Sequence, residues 1–128
     1  MALDPTNIDD VFDHLRDLFN SQKYDEMLPF LDANITWKML HHADSITGAG
    51  QVIQWLKDNK DALNPQLSPV SKKPNPPANE DGSQRVDGTA KWQGRKGAAE
   101  ENIECHYTFT KSKAGSWVLK NAFGIVLG

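Results

Sequence analysis

The densest group of acid–base side chains in this chain is His41-His42, with Asp44 two residues further on. An imidazole with its ordinary pKa of about 6.5 exchanges protons at neutral pH, so either histidine suits a general base or acid. The competing reading is a pair of solvated loop histidines. The cluster falls short as a metal site, because adjacent histidines rarely share one ion with good geometry and no distant third ligand is evident; no metal is expected. Cys105 is the single cysteine, which excludes an intrachain disulfide. It would be a nucleophile only as a stabilised thiolate. His106 follows it directly, and strand neighbours point to opposite faces, so the two form no couple. Cys105 is therefore expected to be a small buried apolar group. Tyr107 and Asn121 carry a hydroxyl and an amide that can orient a carbonyl or hydroxyl of a bound molecule; the alternative is that they satisfy one another or a buried water. His14, beside an apolar helical stripe, and Arg95-Lys96, in a turn, read as boundary and solvated groups.

The elements that must position these groups are legible in the hydrophobic pattern. Between Asn102 and Lys111 the odd positions are Ile103, Cys105, Tyr107 and Phe109, and the even ones are polar. Trp117, Leu119, Asn121 and Phe123 continue the odd pattern after a hairpin at Ala114-Gly115. Alternation of this kind marks strands with one inward face. Upstream, Val86, Gly88, Ala90 and Trp92 share a face of a strand over 85–93, and Ile35, Trp37 and Met39 share a face of one over 34–40. Gln66 to Lys73 is a weaker strand, with Pro69 marking an edge or a bulge. Ile8, Val11, Phe12, Leu15, Leu18 and Phe19 recur at helical spacing behind a Thr6 cap, with Asp13, Arg16 and Asp17 on the polar side. A short second helix spans Tyr24 to Leu31. A third, opened by Thr47 and ended near Leu63 before Asn64-Pro65, buries Val52, Ile53, Leu56 and Trp55. The Pro-rich run 74–82 is a long hairpin loop, either slack or a flap over a pocket.

Helices gathered early and strands late indicate an α+β fold: a curved antiparallel sheet, mixed at its edge, wrapped around three N-terminal helices. The 128 residues suffice for one domain with a real core. With 14 basic and 17 acidic residues the net charge is −3, which argues against a nucleic-acid surface. No run approaches the roughly 20 apolar residues of a membrane-spanning helix. The reading is a soluble, cytoplasmic protein with no nucleic-acid or membrane partner.

Several local sequences carry a family resemblance. They are Asn20, the run Tyr24-Asp25-Glu26-Met27-Leu28-Pro29-Phe30-Leu31, the strand Ile35-Thr36-Trp37, the helix start Gly48-Ala49-Gly50-Gln51-Val52-Ile53, the turn Trp92-Gln93-Gly94-Arg95-Lys96 and the terminal Ala122-Phe123-Gly124. In this order and spacing the chain resembles the nuclear transport factor 2-like superfamily, in its SnoaL-like polyketide-cyclase and ketosteroid-isomerase-like group. The resemblance implies a cone-shaped sheet around an interior apolar pocket, and a homodimer formed through the sheets. It does not imply one activity, since the fold hosts isomerases, cyclases, dehydratases, epoxide hydrolases and non-enzymatic binders. The ketosteroid isomerase's phenolic donor falls at Leu15, its carboxylate base at Met39 and its second oxyanion donor at Cys105. Leu15 and Met39 can supply neither a base nor a donor and a thiol is a poor donor, which argues against isomerase chemistry.

The expected ligand-binding wall is Leu15, Trp37, Met39, Trp55, Trp92, Cys105, Tyr107, Trp117, Asn121 and Phe123. An aromatic rim over a floor of small residues suits a small apolar molecule. His41 and His42 are the expected acid–base groups if a reaction occurs, with no cofactor. The alternatives are a non-catalytic carrier or sensor, and a protein-interaction module working through the sheet face.

Overall fold

The computed structural model describes residues 4, 6–38, 44–60, 66–68, 71–72, 82–94, 97–113 and 115–127. The first helix, α1 (Ile8–Asn20), is capped by Asn7, whose side-chain oxygen accepts from the backbone N–H of Asp9 at 3.0 Å and Asp10 at 3.3 Å. The expected Thr6 cap is displaced by one residue, because the Thr6 hydroxyl instead donates to Asp4 Oδ1 at 2.6 Å. Val11, Phe12, Leu15, Leu18 and Phe19 form the buried stripe of α1.

The second helix, α2 (Tyr24–Met27), is shorter than expected; Leu28–Phe30 tighten into a 3-10 turn at Pro29, and β1 (Leu31–Trp37) starts where the helix was expected to end. Thr47 opens no helix. It pairs with Thr36 in β2 (Ile46–Thr47), and Gly48, at a φ of 100° that suits glycine, starts α3 (Ala49–Asp58) while donating to the Ile35 carbonyl at 2.8 Å. The α3 helix ends at Asp58 rather than near Leu63. Of the weaker strand over 66–73, β3 (Gln66–Leu67) and β4 (Ser71–Lys72) both pair antiparallel with β5 (Gln84–Gln93). The strands β6 (Glu101–Lys111) and β7 (Trp117–Val126) complete the fold.

Among the described residues the seven strands make one curled sheet in the order β2-β1-β7-β6-β5-β3, with β4 also on β5. The β1–β7 pair is parallel and the others are antiparallel. The helices cover the inner face, where Phe109, Met27, Ile35, Val11, Val52, Val86 and Cys105 are fully buried. No described helix is long and apolar enough to cross a membrane.

The strand β5 keeps its expected phase, with Val86, Gly88, Ala90 and Trp92 all buried. The strand β7 does not. Thr108 pairs with Asn121, but Phe109 pairs with Leu119, so Lys120 is an extra residue in β7. Such a bulge shifts the side-chain phase by one. Leu119 keeps the inner face, and beyond the bulge Ala122 and Gly124 take the inner positions, opposite Tyr107 and Cys105. Asn121 and Phe123 pair with Thr108 and His106 and lie on the outer face, contrary to expectation.

Candidate functional site

Between α1 and the inner face of the sheet lies a half-open cavity of about 80 Å³. A water needs roughly 10–15 Å³ on this measure, so the space is on the order of half a dozen water positions. The α1 side contributes Phe12, Leu15, Arg16 and Phe19. Trp37 and Lys38 come from β1 and its end, Trp92 from β5, and Ile103, Cys105, Tyr107 and Phe109 from β6. Leu119, Ala122 and Gly124 supply the β7 side, and Met27 and Leu67 close the remainder.

Ring contacts hold this wall. The Phe12 ring meets Tyr107 edge-on with centroids 4.9 Å apart, and Phe19 stacks on Trp92 at 6.0 Å and tilts against Trp37 at 5.6 Å. Edge-to-face and offset rings are the favoured arrangements for aromatic groups in contact. Tyr107 and Cys105 sit two residues apart on one face of β6, and both line the cavity. Burial pushes the Cys105 thiol up, the neighbouring Tyr107 hydroxyl offsets part of the rise, and Glu104 adds to it. Burial, with the thiol beside it, pushes the Tyr107 phenol well above its ordinary value. Both groups therefore stay protonated at neutral pH. Cys105, 1% exposed, is a neutral group in the cavity wall and no thiolate nucleophile. Tyr107 is a neutral phenol able to donate or accept.

Leu15, Trp37, Trp92, Cys105 and Tyr107 of the expected wall are brought together here. Phe123 reaches the rim, but its ring stacks on His106 at 5.0 Å on the outer side. Trp55 and Trp117 pack half-buried against the core away from the cavity. Trp117 Nε1 donates to the Thr6 carbonyl at 3.1 Å, and the Lys111 ammonium sits 5.2 Å from its ring centroid. Asn121 is on the outer face, so it cannot partner Tyr107 across the cavity. Met39, His41 and His42 lie outside the described residues.

Sequence reasoning missed Arg16, Lys38, Ala122 and Gly124 as lining residues. Arg16 had a signal: it follows Phe12 by four positions and so flanks the buried stripe of α1. Ala122 and Gly124 had none, because only the bulge at Lys120 turns them inward.

On the outer face His106 Nδ1 lies 2.8 Å from Asp87 Oδ1 and its Nε2 lies 2.9 Å from Glu104 Oε1. The separation of Cys105 from His106 expected from alternation is thus observed. Among the described residues no group of three or more metal-ligating side chains is placed to hold an ion.

No protein-family model matches the chain, and no curated protein matches it. Solved structures do. A Caulobacter vibrioides protein of uncharacterised function with a cystatin-like fold superposes with a TM-score of 0.75 at 9% identity, covering 94% of this chain and 87% of its own. A Catenulispora acidiphila protein in complex with S-DNPA gives 0.73 at 9% identity, covering 93% and 90%. SalBIII, an epoxide hydrolase/cyclase-like enzyme with a role in pyran ring formation in the polyether salinomycin, gives 0.59 at 16% identity, covering 92% and 88%. At these identities the likeness is one of fold, and it agrees with the curled sheet over three helices described above. The chain has the cystatin-like, nuclear transport factor 2-like fold.

Proposed function

We propose that the protein binds a small apolar molecule in the cavity between α1 and the sheet. The observation that carries this reading is a half-open hollow walled by aromatic and aliphatic side chains, with the neutral Tyr107 phenol and Cys105 thiol as its inner polar groups. Apolar walls supply affinity through surface removed from water, and a lone hydroxyl orients one polar atom of the guest. The S-DNPA complex of one structural neighbour supports ligand binding in this fold.

Among the described lining residues there is no carboxylate and no imidazole. The binding reading therefore stands ahead of catalysis. Acid–base chemistry of the cyclase, isomerase or dehydratase kind would rest on His41 or His42, and the cyclase-like neighbour supports that second reading. The two separate in one experiment. Titration with small aromatic probes, followed by the fluorescence of Trp37 and Trp92, should saturate, and Tyr107→Phe should weaken probes carrying a carbonyl. A turnover screen with His41→Ala and His42→Ala then decides. Conversion that disappears in either variant establishes an enzyme, and saturable binding with no conversion in the parent establishes a carrier.

The outer sheet face supports a homodimer. Phe123 is 38% and Ile125 50% exposed there, beside a rim of polar groups, the composition of a partly polar interface. Sedimentation should give a dimer, and Ile125→Lys should give a monomer with unchanged probe binding. A buried, unpaired cysteine suits a cytoplasmic setting.

A further inference from the structure

Among the described residues the charged ones that line the cavity are Arg16 and Lys38, both cationic, and no acidic residue lines it. In a chain with net charge −3 this is a local reversal of sign. Arg16 belongs to the polar side of α1, yet its side chain is only 17% exposed. An arginine stem can cover apolar surface while its guanidinium keeps to the edge, which accounts for a cavity-lining residue paired with the exposed Asp13 and Asp17. Its partners leave it available. Asp13 and Asp17 each approach at 3.5 Å, and they are 51% and 70% exposed. Pairs of that length and exposure are weak, and a guanidinium has five N–H donors to distribute. Lys38 is exposed, and its backbone N–H donates to the Ala122 carbonyl at 2.9 Å, which fixes its chain beside the inner residues of β7.

The interior has the opposite character. Its polar groups are a neutral phenol and a neutral thiol, and a charge placed among them would lose its hydration without a countercharge. A guest with an anionic group can therefore enter in one orientation, apolar body inward and anion at the mouth. The volume sets its size at roughly one ring with a short side chain, given space for about half a dozen waters. Resting on the reading that the cavity binds a ligand, we propose that its ligand is a small monocyclic carboxylate, whose ring lies against Phe12, Phe19 and Trp92 and whose carboxylate is held by Arg16 and Lys38. A carboxylate matches the planar fork of the guanidinium, which adds directionality to the charge attraction.

Phenylacetate and phenylacetamide test this, since they share shape and differ in charge. Titrated into the full chain by calorimetry, phenylacetate should bind about tenfold more tightly than the amide, the worth of one charge-assisted contact. Lys38→Met and Arg16→Met should each reduce that preference, and the double variant should abolish it, so that acid and amide bind alike. The unaltered protein gives a control independent of folding in the variants, since raising ionic strength from about 0.02 M to about 0.5 M should shrink the preference for the acid. Equal affinity for acid and amide, or a preference that survives both substitutions and high salt, overturns the carboxylate assignment and leaves apolar binding standing. Failure of both compounds to bind removes the cavity-binding reading and this inference together.

Discussion

Asp87 shows how one side chain on the outer face ties stability to pH. Burial pushes its carboxyl up, but the bond from His106 at 2.8 Å and that from Arg85 Nη2 at 3.1 Å outweigh it, and the pKa lies below the ordinary carboxylate value. A carboxyl whose folded pKa is depressed contributes stability that is complete above its unfolded pKa, about 3.9 for Asp. That stability is lost as the pH falls through the lower folded value. Urea unfolding of the parent should therefore weaken on acidification from about pH 5 downward, with part of the slope belonging to Asp87. Asp87→Asn keeps the shape and cannot titrate, so the acid limb of its stability curve should be shallower. Parallel acid limbs for parent and variant would remove Asp87 as a source of the dependence. The residue scale also explains why Cys105 and His106, adjacent in sequence, do different work: one is a neutral part of the cavity wall and the other is bonded to two carboxylates outside.

At the scale of elements, what could be read from the sequence was what regular periodicity encodes. The phases of β5 and β6 followed from alternation, and the stripe of α1 from its helical spacing, so Leu15, Trp92, Cys105 and Tyr107 were placed on the inner side from sequence alone. The errors fell where geometry is set by contacts distant in the chain. Lys120 bears no local mark of a bulge, yet it turns Asn121 and Phe123 outward. Thr47 looks like a helix cap, but pairing with Thr36 holds it in a strand and leaves the cap position to Gly48. The short edge strand β3 is a further case. The Asn20 amide donates to the Leu67 carbonyl at 2.8 Å and accepts from the Leu67 N–H at 2.8 Å, so a side chain at the end of α1 takes the place of a neighbouring strand. Asn20→Ala leaves both backbone groups in a part-buried place without partners, at a cost of about 2 kcal/mol. The urea midpoint should fall accordingly, and hydrogen exchange at the Leu67 amide should accelerate more than at β6. An unchanged midpoint would mean that β3 is held by its pairing with β5 alone.

The molecule as a whole sets a filled core against a hollow one. The space between α1 and the sheet is bounded by Phe12 and Leu15 on one side and by Ala122 and Gly124 on the other. The β7 side stays small because the bulge brings those two residues inward in place of Phe123. Regular alternation would have put a phenyl ring inside, and the cavity would shrink. Its persistence forgoes dispersion contacts that a solid core would make, since a lining without partner atoms loses that attraction. Ala122→Leu tests this balance, because Ala122 is 3% exposed and lines the space. In a hollow cone the added carbons occupy empty volume, so the unfolding free energy should change by less than about 1 kcal/mol, and any change toward stability reflects the apolar surface buried. Affinity for phenylacetamide should drop by at least tenfold, since the guest and the new side chain compete for one volume. In a packed interior the same substitution would force side chains off their rotamers and destabilise by about 1–3 kcal/mol, with no effect on binding. Urea unfolding and calorimetric titration of one variant thus distinguish a cone that stays open for a guest from one closed by its own helices.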